Sequence, residues 1–226
     1  MCFLLKFMKK ILLSTILNIV PFVVCGYFLP TNNFVIIEHN SYTIAYDTNY
    51  NHAVWCEYTL TSNQLCTVSN IKRTNDFRPD PYLLNNTNIL VVIDNNCYYN
   101  SGFDKGHLCP AQDRSYSKED MSETFYLSNM SPQEPSFNRG IWKKLEEFTR
   151  RYAILKGEIT VVTGPVIFNR YFILDNKISI PHMYFKILIT KDNHCLCFII
   201  PNQKSDYKIE DYCVTLNYLL VLLNMK

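Results

Sequence analysis

The 226-residue chain has little net charge of either sign: 22 Lys and Arg stand against 20 Asp and Glu, leaving +2 at pH 7. That excludes the uniformly basic domain of many nucleic-acid binders, so any contact with a polyanion must come from local clusters of base. The nine cysteines include no Cys-x-x-Cys pair, which excludes the usual zinc frameworks. No internal repeat, low-complexity stretch or linker divides the chain. Long apolar runs are also missing: residues 212–223 make only about a dozen, which predicts a core helix rather than a membrane span.

What is present suits one globular domain. A composition 48% hydrophobic and 14% aromatic excludes a disordered chain, and the length suffices for a substantial core. Lys6, Lys9 and Lys10 precede an apolar run over residues 11–24, with small Gly26 after it. This pattern reads as a signal peptide over residues 1–26, followed by a single domain over 27–226 in a secreted or periplasmic protein. Seven cysteines would then lie in a compartment where disulfides persist; their connectivity is open, and buried free thiols are the plain alternative.

Runs rich in β-branched and aromatic residues over 35–37, 42–46 and 54–61 predict three antiparallel strands forming one sheet edge. Residues 89–93 read as a fourth strand or a loop-borne apolar segment, residues 97–113 as a loop, and Ser117 as a helix cap. Phe125, Tyr126 and Leu127 read as extended. Residues 159–163, 183–190 and 195–200 predict further strands, with Gly164-Pro165 and Pro201-Asn202 as turns. Over 139–156, Ile141, Leu145, Phe148 and Tyr152 recur at about 100° per residue, with Lys143, Glu147 and Arg151 opposite and Trp142 bordering the stripe. Glu146 and Arg150 share a flank of that helix.

Two places carry candidate chemistry. His107, in Asp104-Lys105-Gly106-His107, has a side chain whose ordinary pKa near 6.5 suits a general base. About thirty residues on, Asn129, Asn138 and Glu146 offer amide and carboxylate oxygens suited to a hard cation. Lys72, Arg73, Arg78, Lys143, Lys144, Arg150 and Arg151 flank these positions in sequence. On a straight helix Asn138 and Glu146 would stand roughly 12 Å apart, too far to share a metal ion directly.

At these residues the chain resembles the DNA/RNA non-specific endonuclease family, the sugar-non-specific nucleases of the ββα-metal (His-Me finger) superfamily. The resemblance rests on Gly102-Phe103-Asp104-Lys105-Gly106-His107-Leu108-Cys109-Pro110-Ala111, on Phe125-Tyr126-Leu127-Ser128-Asn129, and on Asn138, Trp142, Leu145 and Glu146 at matching spacing. Arg73, Phe77 and Asp80 upstream extend it, as do Val162-Thr163-Gly164-Pro165 and Ile180-Pro181 through Phe185-Lys186 downstream. It covers roughly residues 34 to 215. It implies an α+β fold with a central antiparallel sheet, packed helices and a ββα-metal site.

It further implies hydrolysis of DNA and RNA to 5′-phosphate ends with little sequence preference. His107 would be the general base, Asn138 the ligand of a hydrated Mg²⁺ for which Mn²⁺ can substitute, and Glu146 the holder of its waters. Asn129 would orient the site, Asp104 would fix the motif, and Arg73, Lys105 and Arg150 would contact phosphate. Lys105 stands where the family usually has arginine, which keeps the charge but loses the two-point fork. DNA and RNA are the implied substrates, a protein inhibitor and a homodimer are compatible partners, and the mature chain would have no stable membrane span. The competing reading is a nucleic-acid-binding protein of the same fold with weakened or lost catalysis.

Overall fold

The computed structural model describes residues 34–67, 69–85, 93–168, 173–174 and 178–224. The expected signal peptide lies outside the described residues, as does nearly all of the segment expected over 89–93. Eleven strands occur among the described residues: β1 (Phe34–Glu38), β2 (Thr43–Asp47), β3 (His52–Thr61), β4 (Asp104–His107), β5 (Met130–Gln133), β6 (Glu158–Val166), β7 (Ile173–Leu174), β8 (Ile178–Ser179), β9 (Met183–Thr190), β10 (Cys195–Pro201) and β11 (Cys213–Val214). The α-helices are α1 (Ser62–Cys66), α2 (Pro81–Leu84), α3 (Lys118–Glu123), α4 (Lys143–Lys156) and α5 (Leu216–Asn224).

Seven strands form one sheet in the order β1-β2-β3-β6-β9-β10-β11, every pairing antiparallel. The three N-terminal strands make one edge of it, as their composition predicts. Alternation along each strand serves two helices. On β9, Tyr184 and Leu188 join the core that α4 covers with Leu145, Phe148 and Tyr152, together with Ile141 and Trp142 just before it, while Phe185, Ile187 and Ile189 join Leu219 and Leu223 of α5. Helix therefore sits on both sheet faces, which leaves the centre of the sheet closed to water.

Several local expectations change on folding. Gly164 and Pro165 are not a turn but lie inside β6, opposite Phe185 and Tyr184. Glycine is needed there for space: a Cβ would meet the Val54 carbonyl oxygen at 2.3 Å and the Phe185 ring at 2.9 Å. The 97–113 segment is not all loop, since Asp104–His107 pairs as β4 with β5. After Phe125, Tyr126 bridges Arg78 and residues 127–129 tighten into a 3-10 turn rather than extending. The C-terminal helix begins only at Leu216, because Cys213 and Val214 pair with β10 first. Ser117 caps α3 by accepting from the Asp120 amide, as expected. Trp142, expected at the border of the helical stripe, is wholly buried.

None of the seven described cysteines is joined in a disulfide, and Cys56, Cys97, Cys109 and Cys197 are buried. Among the described residues no helix is long and apolar enough to cross a membrane.

Gly164→Ala forces a methyl group against backbone that cannot move aside. The expected cost is about 2 kcal/mol, read as a Tm lower by about 4–8 °C for a chain of this size. An unchanged melting curve would contradict the close approach of β3 and β9.

Candidate active site

The two-stranded β4-β5 pair stands apart from the main sheet and is fastened to it from below. The His52 Nε2 on β3 meets Ser131 Oγ at 2.7 Å, and the Tyr184 hydroxyl on β9 donates to the Pro132 carbonyl at 2.9 Å. After β5 the chain passes through a turn over Phe137–Trp142 and enters α4, giving the order strand, strand, helix. That turn is kinked at Gly140 (φ −105°, ψ −106°), so Asn138 is not on the axis of α4. The straight-helix separation of Asn138 and Glu146 does not apply, and the kink is what sequence periodicity missed.

Alternation along β4 divides the motif between two faces. Lys105 and His107 share one face with a pair of phenylalanines set edge to face at 4.9 Å, Phe77 and Phe125. The His107 ring lies 4.9 Å from Phe125 and 5.9 Å from Phe77, Lys105 Nζ sits 4.2 Å over Phe77, and the Arg73 guanidinium 4.8 Å over Phe125. Three nitrogen-bearing side chains from separate stretches are thus gathered by two apolar rings. Lys105 also donates to Asn95 Oδ1 at 2.9 Å, and Arg73 Nε to Asn75 Oδ1 at 2.8 Å.

The other face of β4 carries Asp104. Its carboxylate accepts from Asn138 Nδ2 at 2.9 Å and, through both oxygens, from Arg139 Nε at 2.9 Å and Nη2 at 2.6 Å. Asp104 therefore ties the strand of His107 to the turn of Asn138. Gly106 has no room for a side chain, because a Cβ would lie 2.1 Å from the Gln133 amide. Both polar atoms of that amide are buried without a hydrogen-bond partner, as is His107 Nε2. Burial, with Arg73 adding like charge, holds the His107 pKa down at about 3, so the ring is neutral throughout the physiological range.

Asn129 uses its amide entirely within the fold. Its Oδ1 accepts from the Cys109 amide at 2.9 Å, and its Nδ2 donates to the carbonyls of Cys109 at 3.0 Å and Thr124 at 2.8 Å. These bonds tie Asn129 to the segment that follows His107. Arg150 is turned toward Asp113, with Nη1 to Oδ1 at 2.8 Å, while Tyr58 donates to the second oxygen at 3.0 Å. The expected phosphate contact therefore meets a guanidinium already engaged with a buried carboxylate. Lys143, Lys144 and Arg151 lie exposed.

Burial pushes Glu146 up from 4.5 to about 7; Lys186 opposes the shift, Asp113 adds to it, and Arg150 and Arg73 oppose it. Asp113, Arg139, Gln133 and Lys186 are the site neighbours that spacing alone did not single out. Lys186 had a visible signal, a lone charge within the apolar run of β9.

The donors fit a hydrated hard cation. Asn138 gives only its Nδ2 to Asp104, which leaves an amide oxygen beside a carboxylate, both hard donors. Among the described residues no three His, Cys, Asp or Glu side chains converge to cage a metal ion, so water must complete the coordination of any ion held here.

The sequence profile described as "DNA/RNA non-specific endonuclease" matches residues 25–223. Among curated proteins, the chain is 34% identical over 191 residues to Nuclease C1 of Cunninghamella echinulata var. echinulata, covering 76% of this chain and 73% of that protein. It is 32% identical over 167 residues to a nuclease of Nostoc sp. (73% of this chain, 57% of that protein) and 30% identical over 187 residues to human mitochondrial endonuclease G (76% and 61%). The matched region thus spans between 57% and 73% of the length of these relatives. A chain in the crystal structure titled as the EndoG/EndoGI complex superposes with TM-score 0.77 at 25% identity, covering 93% of this chain and 91% of that one.

The two shifted groups give stability opposite pH dependences. Glu146, raised in the fold, takes stability away as pH rises from 4.5 through about 7; His107, lowered, takes it away as pH falls from 6.5 toward about 3. In urea unfolding of metal-free protein, Glu146→Gln should gain on wild type across the first window and His107→Asn across the second. A constant difference in both would contradict the burial of these side chains.

Proposed function

Since the chain belongs to the DNA/RNA non-specific endonuclease family, we propose that it is a Mg²⁺-dependent endonuclease that hydrolyses DNA and RNA to 5′-phosphate ends with little sequence preference. The carrying observation is the strand-strand-helix unit in which Asp104 joins the strand of a neutral His107, its Nε2 unpartnered, to the turn of Asn138. A divalent cation held by Asn138 and water would take up charge on the phosphate. His107 would accept the proton of the attacking water, and a neutral ring is ready to do so without first losing one. Lys105 and Arg73, gathered beside His107, hold the phosphate backbone, and such contacts carry no base information. Glu146 would hold water around such a cation, and Arg150, paired with Asp113, is proposed to contact phosphate as well. Mn²⁺ is proposed as a substitute for Mg²⁺.

The reading extends to the whole protein. Residues 1–26 are proposed as a signal peptide of a secreted or periplasmic chain, with 27–226 as one nuclease domain; a mitochondrial relative makes organelle import the alternative that localisation of a tagged chain would reveal. A structural neighbour solved in a complex titled for EndoG inhibition supports proposing a protein inhibitor as partner, and a homodimer is proposed on the family resemblance. The same fold with lost catalysis is the alternative that the assays below separate.

Purified protein should nick supercoiled plasmid and degrade RNA in Mg²⁺, lose both activities in chelator, and weaken steeply as salt rises. His107→Ala should lower kcat by about a hundred- to ten-thousand-fold with nucleic-acid binding retained, whereas Asn138→Ala should shift the Mg²⁺ concentration needed. Near-wild-type cleavage by folded His107→Ala would move the binding-protein reading to first place.

Replacing Lys105 by arginine should leave activity level or raise it, because the planar guanidinium can stay over Phe77 and add a second bond to phosphate. Abolished cleavage in folded Lys105→Arg would assign the amine a task that needs its compact shape.

A further inference from the structure

Strand β9 places a charge where its neighbours place apolar side chains. Tyr184 and Leu188 face the core under α4, and Lys186 stands between them in the same row, fully buried. Across the sheet its register partners are Thr163 and Phe198, with Cys56 beyond Thr163, so nothing beside it on the sheet supplies an anion. Its Nζ has no hydrogen-bond partner and lies 4.8 Å over the ring of Trp142. Trp142 and Glu146 are four residues apart, one turn along α4, which sets the ammonium beneath the flank that carries Glu146. Burial lowers the lysine's pKa, and Glu146 is the foremost of the groups that hold its proton on. A buried ammonium without a hydrogen bond is destabilising, and an apolar side chain of similar length would pack the same space better.

We propose that Lys186 is a positioning residue whose buried ammonium, seated on Trp142 one helical turn from Glu146, favours the ionised form of that carboxylate. Its consequence for catalysis rests on the nuclease reading; the coupling between the two side chains does not. Four charged groups act on Glu146: Lys186 from β9, Asp113 from the segment after β4, Arg150 from α4 itself and Arg73 from the chain before β4. Arg150 is already paired with Asp113, and Arg73 lies out over Phe125. Lys186 alone of the three cations is enclosed without a counter-ion of its own.

The test replaces Lys186 by methionine, which keeps the stem and removes the charge, with Lys186→Gln as a second variant should methionine misfold. Lys186→Met should lower kcat and Mg²⁺ affinity by about ten- to a hundred-fold, leave KM for nucleic acid near wild type, and leave Tm equal or higher. In a Glu146→Gln background the same change should do little more, since the lysine acts through the carboxylate. A lysine that serves only packing would instead lower Tm and multiply its effect with Glu146→Gln, which would overturn the proposal. In metal-free protein labelled with ¹³C at glutamate, the titration midpoint of the Glu146 carboxyl should move to higher pH in Lys186→Met; an unmoved midpoint would likewise overturn it. If wild type binds no Mg²⁺ and cleaves nothing, the nuclease reading fails, and the carboxyl titration still decides whether Lys186 governs Glu146.

Discussion

The arrangement depends on one carboxylate. Asp104 accepts from Asn138 and from both sides of the Arg139 fork, and it does so from the face of β4 opposite His107. A four-residue strand paired to another of equal length has little stability of its own. Its position comes from His52 and Tyr184 beneath β5, from the Asn129 amide behind Cys109, and from Asp104 at the far end. Because Asn138 spends one amide group on this clamp, its oxygen has a defined direction, which a cation site needs and a mobile loop would not provide.

Around the helix that follows, the fold encloses Asp113 and Lys186 and partly covers Glu146 and Arg150. Glu146, Asp113, Arg150 and Lys186 come from three elements and meet where α4 crosses the sheet, with Tyr58 completing the shell of Asp113. Buried ionic groups are seldom the most stable filling of a core. Here the apolar alternation of β9 and the stripe of α4 would close the core without them, so their presence is better accounted for by the site than by stability. The contrast between His107 and Glu146 has the same origin: burial disfavours charge on each, leaving a neutral imidazole and a carboxyl whose pKa stands at about 7 even with three cations acting on it.

The aromatic rings do two different jobs. Phe77 and Phe125 gather His107, Lys105 and Arg73 from stretches more than thirty residues apart, giving a cationic surface to a protein whose net charge is only +2. Trp142 sits wholly inside, between Lys186 and the rings of Phe137 and Tyr184, and fixes the start of α4 against the sheet. Composition averages over both and reveals neither.

What the sequence alone determined was whatever repeats over a few residues. Runs of β-branched, aromatic and apolar residues placed β1, β2, β3, β6, β9 and β10, the 3.6-residue period of Ile141, Leu145, Phe148 and Tyr152 marked α4 and the turn before it, and Ser117 announced a cap. The motif about His107, with Asn138 and Glu146 at their spacing, marked the family and the site region. Tertiary structure decided the rest. Gly164-Pro165 reads as a turn until β3 and β9 press on either side and leave room only for glycine. His107 reads as a loop residue until β5, more than twenty residues later, pairs with its strand. Nothing in the sequence pairs Arg150 with Asp113, and Lys186 reads as one lysine in a strand until α4 closes over it. Periodicity is a property of neighbours along the chain, whereas the partner of a buried charge is chosen by which distant segments pack together, and only the folded chain makes that choice.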